Sequence, residues 1–532
     1  MKKIIALVVF LFSMSADAQI TFQRLYYGHN GVFLMTEFND VTPTSDGGYI
    51  ACGTVAGTGF NDYIIVKLDI DGQVIWARRL GISNEVETGY KTGEAIGGGY
   101  YLLGTIGTNN YNMKINFIRL DTLGNILSNK IYYKGGGGID SLSLGGSPSV
   151  RQKSTGEFII SCSVDHVTGR YYLLIKTDVW GNIIWSTGYG EAISSGYYST
   201  DVEITPDGGY IALGYTPNSG IYIVKTDDGG NVHWAKKYSV SNPAYISAFS
   251  ISNSSDTSYI ISGYFLANNI GSSFLMKIDT SGNFRWAKKY TGPKQMSQIA
   301  SVQQASDGGI VMVTDMYSTT TDDHPLILKT NSAGMFQWAK YYSLSYNSFV
   351  GCFVSVKKTP DDGFIIGTWA FSPTSSNHRG YLIKSDSLGN SGCFETTVTL
   401  NDSNIIINET NASYTVSLGT SDTIIFPSQN ISVPYTYSCS TATVIGIMEF
   451  EMERTDLFLF PNPATNQLTI GSSKFKVQSV GVYDVLGQKR LTLNPSPNGE
   501  GLSMDVTSLD AGIYFVKVKG EKEERVAKFV KE

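Results

Sequence analysis

The stretch Tyr63-Ile64-Ile65-Val66-Lys67-Leu68-Asp69, with Gly72 and Trp76 after it, returns six times along the chain. The copies are Phe117 to Asp121 with Gly124, Leu174 to Asp178 with Gly181 and Trp185, and four more around Lys225, Lys277, Lys329 and Lys384. The basic positions 67, 119, 176, 225, 277, 329 and 384 lie 52, 57, 49, 52, 52 and 55 residues apart. Self-similarity at a fixed period of this size marks a repeat architecture. Upstream of each copy lies a second recurring piece, as in Asp46-Gly47-Gly48-Tyr49-Ile50, Asp207-Gly208-Gly209-Tyr210-Ile211 and Asp307-Gly308-Gly309-Ile310-Val311. An Asp-Gly or Gly-Gly pair between apolar runs marks a tight hairpin with positive φ. Each period therefore holds about four short antiparallel strands, and no helical periodicity intervenes.

Seven such units predict an all-β protein with a seven-bladed β-propeller over residues 19–392. The last unit has Lys384 and Gly389 but runs into Ser391-Gly392-Cys393 without a Trp strand. The missing strand stands at the other end of the chain, where Phe22-Gln23-Arg24-Leu25-Tyr26 resembles Trp286-Ala287-Lys288-Lys289-Tyr290. An N-terminal strand should thus close the ring and leave no unpaired edge. The repeated lysines are expected to pair with turn carboxylates such as Asp46 or Asp207, and the five aligned Trp to wedge between units. The Asp-rich turns at Asp69-Ile70-Asp71-Gly72 and Asp227-Asp228-Gly229-Gly230 lack the alternating acidic ligands and final Glu of a calcium loop, so turn chemistry is the reading adopted.

The repeat pattern resembles the propeller repeats common in exported proteins of Bacteroidetes, which carries architecture and no ligand. Composition agrees: 57 Gly, 33 Tyr and only 16% charged residues in 532 describe a turn-rich folded β protein. The net charge of −6 gives no basic excess for a phosphate backbone, so no nucleic acid is expected as partner. Lys2 and Lys3, the apolar run Ile4 to Phe12 and Ala16-Asp17-Ala18 read as a signal peptide over 1–18. No later stretch approaches the roughly 20 apolar residues of a transmembrane helix.

Residues 393–456 break the repeat as a β-rich connector, bracketed over much of its length by Cys393 and Cys439, an expected disulfide. From residue 457 to 532 short strands at 8–12-residue spacing read as a small C-terminal β-sandwich. This segment resembles the type A C-terminal sorting domain of the type IX secretion system. The resemblance rests on Phe460-Pro461-Asn462-Pro463-Ala464, Val482-Tyr483-Asp484-Val485-Leu486-Gly487, Leu509-Asp510-Ala511-Gly512-Ile513-Tyr514 and Lys528-Phe529-Val530-Lys531. It implies that the type IX machinery is a partner, that the domain carries a folded cargo across the outer membrane, and that the mature protein is secreted or surface-attached.

Catalytic motifs are absent. The histidines His29, His166, His233, His324 and His378 form no metal-ligand spacing, and no nucleophile elbow or phosphate loop appears. No metal or cofactor is expected. The sequence favours a secreted binding or adhesion propeller, with a secreted carbohydrate-active hydrolase or lyase as the alternative. Acidic residues without counterparts in other repeats, Asp165, Glu191 and Asp322-Asp323, fall in expected loops. Ligand contacts should lie where repeats differ, which places Tyr132, Tyr133, Tyr197 and Tyr198 as candidate ligand-binding residues beside the most irregular loops.

Overall fold

The computed structural model describes residues 19–26, 35–56, 60–81, 85–108, 113–133, 147–166, 169–190, 198–216, 220–241, 244–317, 324–343, 349–350, 355–371, 378–412, 420–422, 428–430, 435–440, 457–460, 464–472, 479–484, 488–493, 502–519 and 524–531. The signal-peptide reading over 1–18 lies outside them. The chain divides into two compact units, Met1–Ala442 and Thr443–Glu532. No helix is long and apolar enough to cross a membrane among the described residues.

The fourth repeat shows how the sequence builds each sheet. Tyr198–Ile204, Tyr210–Thr216, Gly220–Thr226 and Val232–Ser239 pair in that order, each antiparallel to the next. The two middle strands are nearly continuous runs of Ile, Val, Leu and Tyr because both of their faces are covered. The outer strand beginning at Val232 is less covered, mixing buried with partly exposed positions. The first hairpin is not a primed two-residue turn. Gly208 N–H donates to the Thr205 carbonyl and Thr205 N–H to the Gly209 carbonyl, with positive φ at Gly208 alone. The second glycine answers a different demand, since a Cβ on Gly209 would lie 2.1 Å from the Thr226 carbonyl oxygen.

Inside that hairpin the Lys225 ammonium, 3% exposed, sits 2.8 Å from Asp207. The pairs Lys67–Asp46, Lys277–Asp256, Lys329–Asp307 and Lys384–Asp361 repeat the arrangement, as expected from sequence. In the third repeat the turn carries no Asp, and Lys176 reaches Glu157 and Asp228 instead. Arg119 faces a glycine turn and donates to the Tyr100 and Gly98 carbonyls. Burial acts to raise the Asp207 pKa, but hydrogen bonds from Lys225, Thr205 and Gly209 outweigh it and hold the group at about 2. Asp46, Asp256, Asp307 and Asp361 are lowered against the same opposing burial by their own lysines. A carboxylate depressed on folding contributes stability that is fully present above its unfolded value near 4 and lost as pH falls through the folded value. Melting temperature should therefore hold between about pH 7 and 5 and fall steadily from about pH 4 to 2. A Lys225→Met variant should lose part of this slope in a pH series of thermal melts.

Neighbouring sheets lock through the outer strand of one and the second turn of the next. The indole N–H groups of Trp76, Trp185 and Trp234 donate to carbonyls of Thr122, Asp228 and Thr280, and Gly124, Gly230 and Gly282 leave room for those rings. Four residues after the Trp position, a buried Tyr hydroxyl donates to the same glycine of the next turn. The pairs are Tyr132–Gly181, Tyr189–Gly230, Tyr238–Gly282, Tyr290–Gly334 and Tyr342–Gly389, at 2.5–2.9 Å. Leu80 takes the Tyr place in the first repeat and is fully buried.

The N-terminal strand enters the same scheme. Phe22–Tyr26 pairs antiparallel with His378–Ser385, with Phe22 opposite Lys384 as Trp286 is opposite Lys277. Phe22 packs against Gly72, and the Tyr26 hydroxyl donates to the Gly72 carbonyl at 2.6 Å. One parallel contact, Met35 to His378, merges the first and last repeats into a single sheet.

The segment that sequence set apart as a connector lends its described strands to these sheets up to Ser440. Glu395–Val398 pairs with Phe336–Tyr342, Asn401–Asn404 with Phe284–Thr291, and Asn408–Asn411 with Val232–Ser239. Then Thr420–Asp422 pairs with Ile126–Tyr133, Ser428–Asn430 with Val74–Leu80, and Tyr435–Ser440 with Phe22–Tyr26. The chain thus returns past the repeats in reverse order as a strap, capping outer edges that would otherwise offer unpaired backbone groups. Lys236–Glu409 and Lys288–Asp402 ion pairs fix it, and its own Ile405 is buried against the sheets. Repetitive short polar strands in the sequence gave no sign of this, because each borrows its order from a distant partner.

The C-terminal unit has two sheets. Leu457–Phe460, Gln467–Ser472 and Leu502–Asp505 form one; Lys489–Leu493, Ser479–Asp484, Gly512–Lys519 and Glu524–Lys531 form the other. They share a core of Leu468, Ile470, Val480, Val482, Val516, Val518 and Phe529, the inward positions of alternating strands.

Candidate functional site

The four tyrosines proposed from sequence do not gather into one site. Tyr132 is 1% exposed and is the clasp to Gly181 already described, so its side chain is packing and not a ligand contact. Its place four residues after the Trp position is visible in the repeat, whereas the irregular loop beside it carries no information about the side chain. Tyr133 ends the strand Ile126–Tyr133, Tyr197 lies outside the described residues, and Tyr198 is half-buried with its ring stacked on Tyr215 at 5.2 Å. Tyr132→Ser should lower stability by about 3–5 kcal/mol, the usual range for emptying a buried aromatic position. A denaturant melt with an unchanged midpoint would restore Tyr132 to the list of surface residues.

The acidic turns are occupied by their own backbones. Asp121, Asp178 and Asp386 each accept N–H groups two and four residues on, and the adjacent Asn125, Asn182 and Asn390 side chains donate to the second oxygen. Ser391 is fully buried between Gln23, Glu395 and the Cys393 carbonyl, a joint of the closing strand. Gln19, Thr21, Asp361, Asp362, Asp386 and Gly392 line an open cleft of about 670 Å³ beside it, whose carboxylates are already bonded to Lys384, to Ser306 and Lys358, and to Asn390 respectively. Asp165, Glu191, Asp322 and Asp323 have no described side chains.

Two arrangements were not legible in sequence. Glu37 and His378, 341 residues apart, hydrogen-bond at the junction of the first and last repeats. The His378 ring lies flat on Trp369 at 4.2 Å, with Phe371 at its edge. The second arrangement runs along the first strand of each repeat. Asp40 accepts from Thr92 N–H, Asp201 from Ile251 N–H, Ser301 from Val356 N–H and Ser355 from Val41 N–H, all at 3.1–3.2 Å. Each bond joins one repeat to the next, and the last joins the seventh sequence repeat to the first.

In the C-terminal unit, Tyr483 and Asp484 sit opposite Phe515 and Tyr514. Asp484 accepts from Gln488 N–H and Arg490, holding the turn between two strands. The Tyr514 hydroxyl donates to the Asp510 carbonyl just before the strand that Gly512 begins. Pro461, Asn462, Pro463, Leu486 and Gly487 lie outside the described residues. Residues 458–532 match the family described as the secretion system C-terminal sorting domain. The C-terminal unit carries a sorting domain of the type IX system. A chain with such a sorting domain is exported, to be secreted or attached at the cell surface, and is handled by that machinery.

No curated protein matches the chain. Among solved structures, a protein of unknown function from Dyadobacter fermentans DSM 18053 is similar at 10% identity and TM-score 0.40, covering 57% of this chain and 99% of its own. The polysaccharide lyase Uly1 is similar at 8% identity and TM-score 0.45, covering 66% and 90%. Drosophila Semaphorin 2a is similar at 8% identity and TM-score 0.37, covering 93% and 95%.

Proposed function

We propose that residues 19–442 form a closed seven-bladed β-propeller that acts as a binding or adhesion module outside the cell, delivered there by the sorting domain. One observation carries the reading: the polar groups that recur from repeat to repeat are consumed by intramolecular bonds. The lysines hold turn aspartates, the tyrosines hold turn glycines, and the turn aspartates hold their own backbones. What is left to meet a partner is what differs between blades, which suits recognition of an extracellular glycan or protein. The bonds Tyr26–Gly72 and Ser355–Val41 support closure of the ring.

The secreted enzyme remains the second reading, favoured by the Glu37–His378 pair against Trp369, a carboxylate-oriented imidazole beside an aromatic face. A panel of polysaccharides and surface proteins separates the two. Saturable binding with no new reducing or unsaturated ends supports the module, and turnover lost in His378→Ala would replace it with the enzyme.

The expected disulfide fits this architecture. Cys393 is disulfide-bonded, Cys52 and Cys162 are free and buried, and Cys439 lies opposite Gln23, whose amide donates to the Cys393 carbonyl. We infer a Cys393–Cys439 bond that would buckle the two ends of the strap beside the closing strand. Non-reducing peptide mapping should recover that pair. Cys439→Ser should cost at most about 4 kcal/mol, the chain-entropy value for a loop of roughly 46 residues.

A further inference from the structure

The second strand of each repeat has a position, four residues past the partner of the repeat's basic residue, at which the repeats differ in kind. Lys67, Arg119 and Lys176 stand opposite Ile50, Tyr101 and Ile159, so the first three repeats carry Thr54, Thr105 and Ser163 there. Lys225, Lys277, Lys329 and Lys384 stand opposite Ile211, Ile260, Val311 and Ile365, so the others carry Tyr215, Tyr264, Asp315 and Trp369. A small hydroxyl therefore satisfies the packing of this row, and an indole exceeds it.

Trp369 stands at the junction of the last repeat with the first. Its ring lies 4.2 Å from the His378 ring and within 7° of parallel, and Phe371 meets His378 edge-on at 5.3 Å. Glu37, from the first repeat, bonds His378 Nδ1 through Oε1. Among the described residues Glu37 Oε2 and His378 Nε2 carry no hydrogen bond, and both side chains are partly open, at 15% and 26% exposure. The Trp369 indole N–H is shielded from solvent and also has no partner among the described residues. Those of Trp76, Trp185 and Trp234 all donate to carbonyls. A shielded donor left unpaired is a cost that calls for an explanation beyond packing.

We propose that Trp369, His378 and Glu37 form a saccharide subsite at this junction, and that its ligand is a hexose unit of a neutral glycan. The inference rests on the binding-module reading and names the class of ligand. The indole N–H supplies a donor and Glu37 Oε2 an acceptor for sugar hydroxyls, while the rings of Trp369 and Phe371 offer apolar surface to the body of the sugar. Glu37, opposite Thr54, and Asp315 put negative charge at this level, and no basic side chain shares the row. A carboxylated or sulfated sugar would meet like charge there.

Indole nitrogen-15 labelling of the full chain tests the proposal, with cellohexaose, maltohexaose and mannohexaose as neutral probes and hexagalacturonate as the acidic one. The chain has seven Trp, and the indole N–H signal absent from Trp369→Phe, or from Trp369→Tyr, is that of Trp369. At least one neutral probe should shift this signal saturably and remain uncut, and hexagalacturonate should leave it in place. Trp369→Phe, which keeps a ring and loses the N–H, and Glu37→Gln should each weaken that probe about tenfold in titration calorimetry, the loss expected for one hydrogen bond. No shift with any neutral probe, a shift with hexagalacturonate alone, or a neutral probe held equally by the parent and both variants would each overturn the subsite. Equal binding by parent and variants would leave the binding-module reading standing. Cutting of a probe that stops in His378→Ala would overturn both.

Discussion

Deletion of residues 19–28 should leave a chain that aggregates or melts without a cooperative transition. Phe22, Gln23, Arg24, Leu25 and Tyr26 are all no more than 2% exposed. Full burial of an apolar side chain is worth roughly 1.5–3 kcal/mol, so Phe22, Leu25 and Tyr26 alone represent a large share of the roughly 5–15 kcal/mol that holds a typical domain. The loss also strips two neighbours, His378–Ser385 on one side and Tyr435–Ser440 on the other, exposing edges of both. Size-exclusion chromatography and a thermal melt read the outcome. A monomer with an unchanged melting temperature would show that this strand is not needed for closure.

Removal of residues 457–532 should abolish surface delivery in a host with a type IX system while leaving the remaining chain folded. The first compact unit ends at Ala442, and among the described residues its hydrophobic clusters are built from its own side chains. The truncated chain should therefore accumulate in the periplasm in protease-resistant form. Protease shaving of intact cells and fractionation report on this together. Surface display at the parent level would contradict the role of the tail, and rapid degradation in the periplasm would contradict the independence of the first unit.

Local and periodic information was legible in sequence. The Lys-Asp pairs, the wedged Trp rings and the strand at Phe22–Tyr26 all follow from residues that recur at a fixed spacing, where packing demands recur too. Tyr132 shows the limit of reading loops without the repeat: its neighbourhood is irregular, but the residue itself obeys the clasp position. The strap from Glu395 to Ser440 was invisible because strands of three to six mostly polar residues have no pattern of their own and are ordered by edges that lie from about 50 to about 420 residues away. The Glu37–His378 pair and the bonds between first strands of successive repeats were hidden for the same reason. Their partners come from different repeats, and only closure of the chain on itself brings them together.

The architecture and every site built on it stand or fall with the number and closure of the repeats. An experimental density map of the secreted chain, viewed along the axis of the first strands, measures this directly. The account predicts a closed disc of seven four-stranded sheets, with Phe22–Tyr26 in the sheet of His378–Ser385 and the strap running around the rim. An open arc, or a ring with six or eight sheets, would contradict it.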